Sequence, residues 1–241
     1  MGLRHDKPEG EPVLLVNREE AGRLLADRLI SYRRDPSALI LALPRGGVPV
    51  GYVISLALHI PLDVFITRKL GAPGNPEFAI GAVAETGTVF FNPQAQDILA
   101  SLHAHPHDLN TILERERREI ARRQTAYRGG QALPPLAQRT VLLVDDGVAT
   151  GATFFASVEA VKAQKPRRLV AAVPVGPVDT LRLLRSQVDE LVVLQTPEFF
   201  EAVGNHYEDF EQVSDETVRH YLQKAAEALR DNEPSAPLAH A

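Results

Sequence analysis

The chain of 241 residues has no cysteine. Disulfides, thiolate nucleophiles and cysteine-ligated zinc are thereby excluded, and a reducing compartment fits the composition. Long apolar runs are missing too. None approaches the roughly 20 residues that a membrane-spanning helix needs, and the opening stretch MGLRHDKPEGEP lacks the apolar core of a signal peptide. The expectation is a cytoplasmic protein without a membrane partner. A basic excess is also absent. The formal net charge of −5 argues against a dedicated nucleic-acid binder, but leaves room for a local basic pocket facing a polyanionic small molecule. Two common phosphate motifs fail as well. No Gly-Lys-Ser/Thr triplet follows a strand, and Arg45-Gly46-Gly47-Val48-Pro49-Val50-Gly51 has the wrong spacing for a dinucleotide fingerprint.

What is present is an ordinary globular composition, 44% apolar and 24% charged, in a length that suits one large domain or one domain with a small appendage. Residues 1–12 read as a disordered lead-in, 13–230 as a single domain and 231–241 as a disordered tail. Asn17 is placed to cap a helix carrying Ala21, Leu24, Leu25, Arg28 and Leu29. Ala38–Leu43 is a short apolar run closed by Pro44, the pattern of a buried parallel strand. After Arg45-Gly46-Gly47 the chain returns as a helix over Val48–Leu58, with Pro49 tolerated in its first turn. A strand is expected at Leu62–Thr67, a mobile Gly/Pro-rich arm at Arg68–Pro76, and a hairpin of Ala79–Ala84 with Thr88–Phe91. A charged helix follows over Asp108–Tyr127. Strands at Thr140–Val144, Arg168–Val173 and Glu190–Leu194 then alternate with helices ending near Ala163 and Ser186. An irregular aromatic segment over 196–213 precedes a closing helix, Ser214–Leu229. The alternation predicts an α/β fold: a mostly parallel twisted sheet flanked by helices, with a small hood near 196–213.

The chemistry concentrates at Val141-Leu142-Leu143-Val144-Asp145-Asp146-Gly147-Val148-Ala149-Thr150-Gly151-Ala152-Thr153. A hydrophobic strand ends in two carboxylates, a turn of small residues follows, and a helix begins. Small side chains let backbone N–H groups approach an anion, Thr150 and Thr153 add hydroxyl donors, and the helix start adds a favourable dipole. Two carboxylates beside a phosphate cradle would repel the ligand unless they face neutral hydroxyls or a cation. A ribose 5-phosphate satisfies both demands, with its phosphate in the loop and its hydroxyls on the carboxylates. An acidic strand end with a glycine at the helix start would account for Gly151, but not for two carboxylates and two threonines.

Apolar strand, acidic pair, small loop and Thr-Gly-x-Thr together resemble the signature of type I phosphoribosyltransferases. Arg68–Glu85, with Ala-Pro-Gly-Asn-Pro-Glu and Ile-Gly-Ala-Val-Ala-Glu, is similar to a poorly characterised bacterial branch of that superfamily. The resemblance extends over about residues 17–230, and only the signature loop is highly specific. It implies transfer of the phosphoribosyl group from 5-phosphoribosyl-1-pyrophosphate (PRPP) to a nitrogenous acceptor, with release of pyrophosphate. Gly147, Val148, Ala149, Thr150, Gly151, Ala152 and Thr153 would then hold the 5-phosphate, while Asp145 and Asp146 hold the ribose hydroxyls. Arg45-Gly46-Gly47 would be the pyrophosphate loop, and Arg68 and Lys69 would sit on a flexible catalytic arm. Arg45, Lys69 and Mg2+, the ion held mainly through PRPP, would stabilise the leaving group. Tyr207 and Phe210 are candidates to stack on the acceptor. Hypoxanthine- and guanine-specific members carry an aspartate where this chain has Ala149, which speaks against that subgroup. A non-catalytic PRPP sensor is the alternative, and a homodimer is the default assembly the resemblance suggests.

Other features carry less. Glu114 with Arg118, and Glu119 with Arg123, stand four apart, as on an exposed salt-bridged helix rather than a nucleic-acid surface. His103, His105 and His107 lack a carboxylate or cysteine at ligand spacing and read as surface residues. Glu85 reads as a surface carboxylate at a strand end, and Phe199 and Phe200 as packing residues for the C-terminal helix.

Overall fold

A computed structural model of the protein describes residues 14–91, 95, 99–100 and 106–231. The expected lead-in, residues 232–241 of the expected tail, and His103 and His105 lie outside the described residues. The strands are β1 (Ala38–Ala42), β2 (Leu62–Val64), β3 (Thr67–Ala72), β4 (Asn75–Ala84), β5 (Val89–Phe91), β6 (Thr140–Val144), β7 (Arg168–Val175) and β8 (Glu190–Gln195). The helices are α1 (Arg18–Arg28), α2 (Gly47–Leu58), α3 (Pro106–Arg128), α4 (Ala152–Ala163), α5 (Val178–Arg185) and α6 (Asp215–Asp231). No helix among the described residues is long and apolar enough to cross a membrane.

Five strands form the expected parallel sheet, in the order β2-β1-β6-β7-β8. Every residue of β1 and β6 is buried, because successive side chains enter cores on opposite faces. Leu39, Leu41, Val141 and Leu143 meet Phe154, Val158 and Val161 of α4 and Leu184 of α5. Ile40, Leu142 and Val144 meet Leu25, Val50, Ile54 and Leu58 of α1 and α2 on the other face. A strand buried on both faces must be apolar throughout, which is why these segments read as unbroken runs. Each such Leu or Ile contributes about 1.5–3 kcal/mol by leaving water. In α1 the buried stripe is Ala21, Leu25 and the following Leu29, whereas Leu24 is exposed.

The connections set the place for a site. From β1 the chain passes through α2 on one face to β2, and from β6 it passes through α4 on the other face to β7. β1 and β6 are adjacent, so the chain departs in opposite directions from the carboxyl ends of neighbouring strands. The crevice at such a switch point is where open α/β sheets receive ligands.

The second sheet overturns the expectation of irregular structure in the arm at Arg68–Pro76. These residues belong to β3 and the start of β4, paired antiparallel from Thr67↔Ala84 to Ala72↔Asn75, with β5 on the far side of β4. The glycine and proline density that suggested irregular structure serves a turn at Pro73-Gly74, where Gly74 has φ +77°, and a register shift around Gly71. The strand expected over Leu62–Thr67 is correspondingly split between β2 and β3.

Glu85 is a second correction. Its side chain is 2% exposed, because it anchors the two sheets to α3. One carboxylate oxygen accepts the Ile66 N–H at 2.8 Å, and the other accepts from Gln124 Nε2 at 3.0 Å and from the Arg128 guanidinium. Asp63 of β2 lies 3.7 Å from Arg128 Nε. Burial, opposed by the Val64 N–H and by Arg128, pushes the Asp63 carboxyl up to about 6. Its unfolded value is about 4, so the stability it contributes is fully present below that pH and is lost as pH rises through 6. Asp63→Asn is therefore expected to gain up to about 3 kcal/mol on the wild type between pH 4 and 7. Urea denaturation at both pH values checks this; a variant-to-wild-type difference that does not change with pH would refute it.

Candidate active site

The acidic pair stands at the carboxyl end of β6, and the turn after β1 lies directly on it. A Cβ placed on Gly46 would be 2.0 Å from Asp146 Oδ2; one on Gly47 would be 2.6 Å from the Val144 carbonyl oxygen and 2.9 Å from Asp145 Cα. Both glycines thus have a packing reason: any side chain would hold the two strand ends apart. Arg45, just before them, places Nη1 3.7 Å from Asp215 Oδ1 at the start of α6.

The loop after the pair is fixed from behind. The Val148 N–H donates to the Val175 carbonyl at 2.9 Å, and Thr180 Oγ1 donates to the Ala149 carbonyl at 2.9 Å. Gly151 occupies the cap position of α4 with φ +79°, and no side chain caps the helix. The Phe155 N–H already reaches back to the Gly151 carbonyl at 2.7 Å. The preceding N–H groups, of Ala152, Thr153 and Phe154, have no carbonyl within the helix to serve. Their residues line a cavity of about 230 Å³ together with Asp145, residues 147–151 and Val203. An uncapped helix start on a loop of small residues is a cradle for an anion.

A second cavity, of about 460 Å³, is lined by Arg18, Arg45, Gly46, Asp146, Val203, Phe210, Gln212 and Val213. Asp145 lines one cavity, Asp146 the other, and Val203 both. The structure therefore brings together Arg45, Gly46, the acidic pair and the whole loop to Thr153. Arg68 is elsewhere: its Nε pairs with Glu116 of α3 at 2.8 Å, and neither Arg68 nor Lys69 lines either cavity. Phe210 lines the second cavity, while Tyr207 is buried and its hydroxyl donates to the Asp146 carbonyl at 2.6 Å. Of the aromatic pair read as packing residues, Phe200 stacks on His206 at 5.1 Å, but Phe199 is 85% exposed.

Sequence reasoning missed Arg18. Asn17 caps α1 as expected, its Oδ1 accepting the Glu20 N–H at 2.9 Å, and this fixes Arg18 as the first helical residue. Its Nε lies 2.7 Å from Asp146 Oδ2, its Nη1 donates to the Glu211 carbonyl at 2.8 Å, and its Cζ stands 3.7 Å from the Phe210 ring centre. One signal was available: a cation at a helix N-terminus opposes the dipole, so an arginine there needs another reason.

Burial pushes both carboxyls upward. Asp145 rises furthest, through burial and then the charge of Asp146, and Arg18 opposes the rise of Asp146. Burial and the neighbouring Asp146 charge likewise raise the Tyr207 hydroxyl.

Residues 15–208 match the family model for the phosphoribosyl transferase domain. The chain belongs to that family. A Mycobacterium tuberculosis protein (strain H37Rv) with a provisional name as a phosphoribosyl transferase is 39% identical over 212 residues, which are 88% of this chain. The match takes in 47% of that relative, so the chain spans about half its length. The crystal structure of TT1426 from Thermus thermophilus is also 39% identical and covers 88% of this chain and 98% of its own, with a TM-score of 0.71.

Gly46→Ala tests how firmly the β1 turn is seated. The methyl group must displace Asp146 or the turn, an overpacking cost of about 1–3 kcal/mol. A clear drop in thermal midpoint is expected, and an unchanged one would mean the turn yields freely.

Proposed function

We propose that the chain binds PRPP across the two cavities and transfers its phosphoribosyl group to a nitrogenous acceptor. The observation that carries this reading is the pair of cavities divided by Asp145 and Asp146, one of them backed by the uncapped start of α4. In this reading the 5-phosphate takes the N–H groups and hydroxyls of residues 147–153. The sugar hydroxyls lie on the acidic pair, and the pyrophosphate extends toward Arg45 and the backbone of Gly46 and Gly47. Anchoring the remote phosphate orients the anomeric carbon for attack.

The bond from the anomeric carbon to the pyrophosphate oxygen breaks as the acceptor nitrogen bonds to that carbon. Positive charge develops on the ring during the transfer, and the neighbouring carboxylates stabilise it. The pyrophosphate leaves with the bonding pair, and the acceptor nitrogen gives up its proton to the departing pyrophosphate or to water. Arg45 stabilises the departing charge. Arg68 and Lys69, on β3 outside both cavities, join it only if the β3–β4 hairpin moves toward the turn. Phe210 and Val203 supply the apolar part of an acceptor surface, and Tyr207 supports that surface through the Asp146 carbonyl.

Magnesium fits this site as an ion carried by the donor. Among the described residues no three His, Asp or Glu side chains converge on one point, whereas sugar and pyrophosphate oxygens offer a hard cation its preferred ligands. When bound, it would neutralise pyrophosphate charge.

Titration of PRPP with magnesium into the wild type and into Asp145→Asn/Asp146→Asn, followed by calorimetry, tests the donor site. Saturable binding by the wild type, weakened at least about 100-fold in the variant by the lost charge-assisted hydrogen bonds, is expected. A folded wild type that binds no PRPP would overturn the reading. Pyrophosphate release on a broad panel of heterocyclic acceptors tests transfer; binding with no release on any acceptor would favour the sensor.

A further inference from the structure

Arg18 has no part in the signature that marks the donor site, yet it is the one described cation in hydrogen-bond contact with the acidic pair. It is held from three directions, by Asp146 Oδ2, the Glu211 carbonyl and the Phe210 ring, and its side chain is only 11% exposed. We propose that Arg18 is a positioning residue which fixes negative charge on Asp146 rather than on Asp145, so that the two carboxylates meet the sugar in different states. The proposal rests on the donor-site reading for its purpose, but not for its geometry.

Two carboxylates on consecutive residues at one buried strand end repel each other. Such a pair tends to hold on to a proton; burial bears hardest on Asp145, and Arg18 opposes it at Asp146. The charged groups around Asp146 are few. Asp145 adjoins it in the chain, and the Tyr207 hydroxyl meets its carbonyl from the hood. Arg45 shares its cavity but turns Nη1 toward Asp215. Among the described residues Arg18 alone, from α1, touches the carboxylate with a cation. Asp145 instead accepts the Asp146 N–H at 2.9 Å, and Arg18 acts on it only as a charge without a hydrogen bond. The pair is therefore asymmetric by construction. Asp146 is a fixed acceptor, whereas Asp145 keeps a proton longer and can donate as well as accept. The face of Arg18 on Phe210 gives the hood the same dependence on that charge.

The test reads ionisation directly. Carboxyl carbon-13 shifts of Asp145 and Asp146 would be followed against pH in the ligand-free wild type, Arg18→Met and Arg18→Lys, with Asp145→Asn and Asp146→Asn as assignments. Asp146 should ionise first in the wild type. In Arg18→Met its midpoint should rise by at least about one pH unit, equivalent to a tenfold change in the ionisation equilibrium, and Arg18→Lys should restore most of it. Unmoved midpoints in folded Arg18→Met would overturn the proposal. Should Arg18→Met fail to fold, Phe210→Leu, which removes the ring under the guanidinium, should raise the Asp146 midpoint in the same direction, and no movement there would be as damaging. PRPP binding gives the second readout. Arg18→Met should bind close to the wild type at pH 9 and at least about tenfold more weakly at pH 6. A loss equal at both pH values would mark a purely structural role, and tighter binding throughout would mark Arg18 as a competitor; either overturns the proposal. If the wild type itself binds no PRPP, the donor-site reading fails, and the titration still decides the role of Arg18.

Discussion

Two neighbouring carboxylates at the end of a buried strand are an expense that the surrounding structure is arranged to meet. Asp145 and Asp146 terminate β6, where desolvation and mutual repulsion both disfavour their charge. Each nearby element answers that constraint. The turn after β1 comes close only because Gly46 and Gly47 present no side chain. The first residue of α1 supplies the neutralising guanidinium, and Tyr207 takes the Asp146 carbonyl. Removal of the two carboxylates would relieve Gly46, which lies on the Asp146 side chain, but not Gly47, which lies on the β6 backbone, and would leave Arg18 as an uncompensated buried charge.

The same pair stands between the two cavities, Asp145 lining the smaller and Asp146 the larger. In the proposed reading each cavity receives a charged part of one donor, the 5-phosphate at residues 147–153 and the pyrophosphate beside Arg45, which leaves the acidic pair to the uncharged sugar between them. Val203 lines both cavities.

Much of this was legible because the signals were local. β6, the acidic pair and Gly147–Thr153 are contiguous, so the strand, the carboxylates and the helix start announce one another. β1 and the Arg45-Gly46-Gly47 turn are likewise adjacent, although the reason for the glycines, a neighbour about a hundred positions later, is not written beside them. What stayed hidden depends on distant partners. Arg18 meets Asp146 across 128 positions. Glu85 is buried because Arg128, 43 positions on, accompanies it; a carboxylate with no visible partner reads as exposed. The β3–β4 hairpin was obscured for another reason. Its glycines and proline serve a turn and a register shift, and composition alone cannot distinguish those uses from an irregular loop.

Arg18 also ties early and late segments of the chain together. Leu15 pairs with the segment around Tyr207, Arg18 bonds to the Glu211 carbonyl 193 positions away, and Glu19 accepts from Tyr221 across 202 positions. Contacts of such separation are entropically costly to close, and three of them fall on one short stretch around the start of α1. The cation beside Asp146 is therefore itself held in place by the segment over residues 206–221. A change that loosens that segment reaches the acidic pair without touching it, because Arg18 loses its backbone anchor.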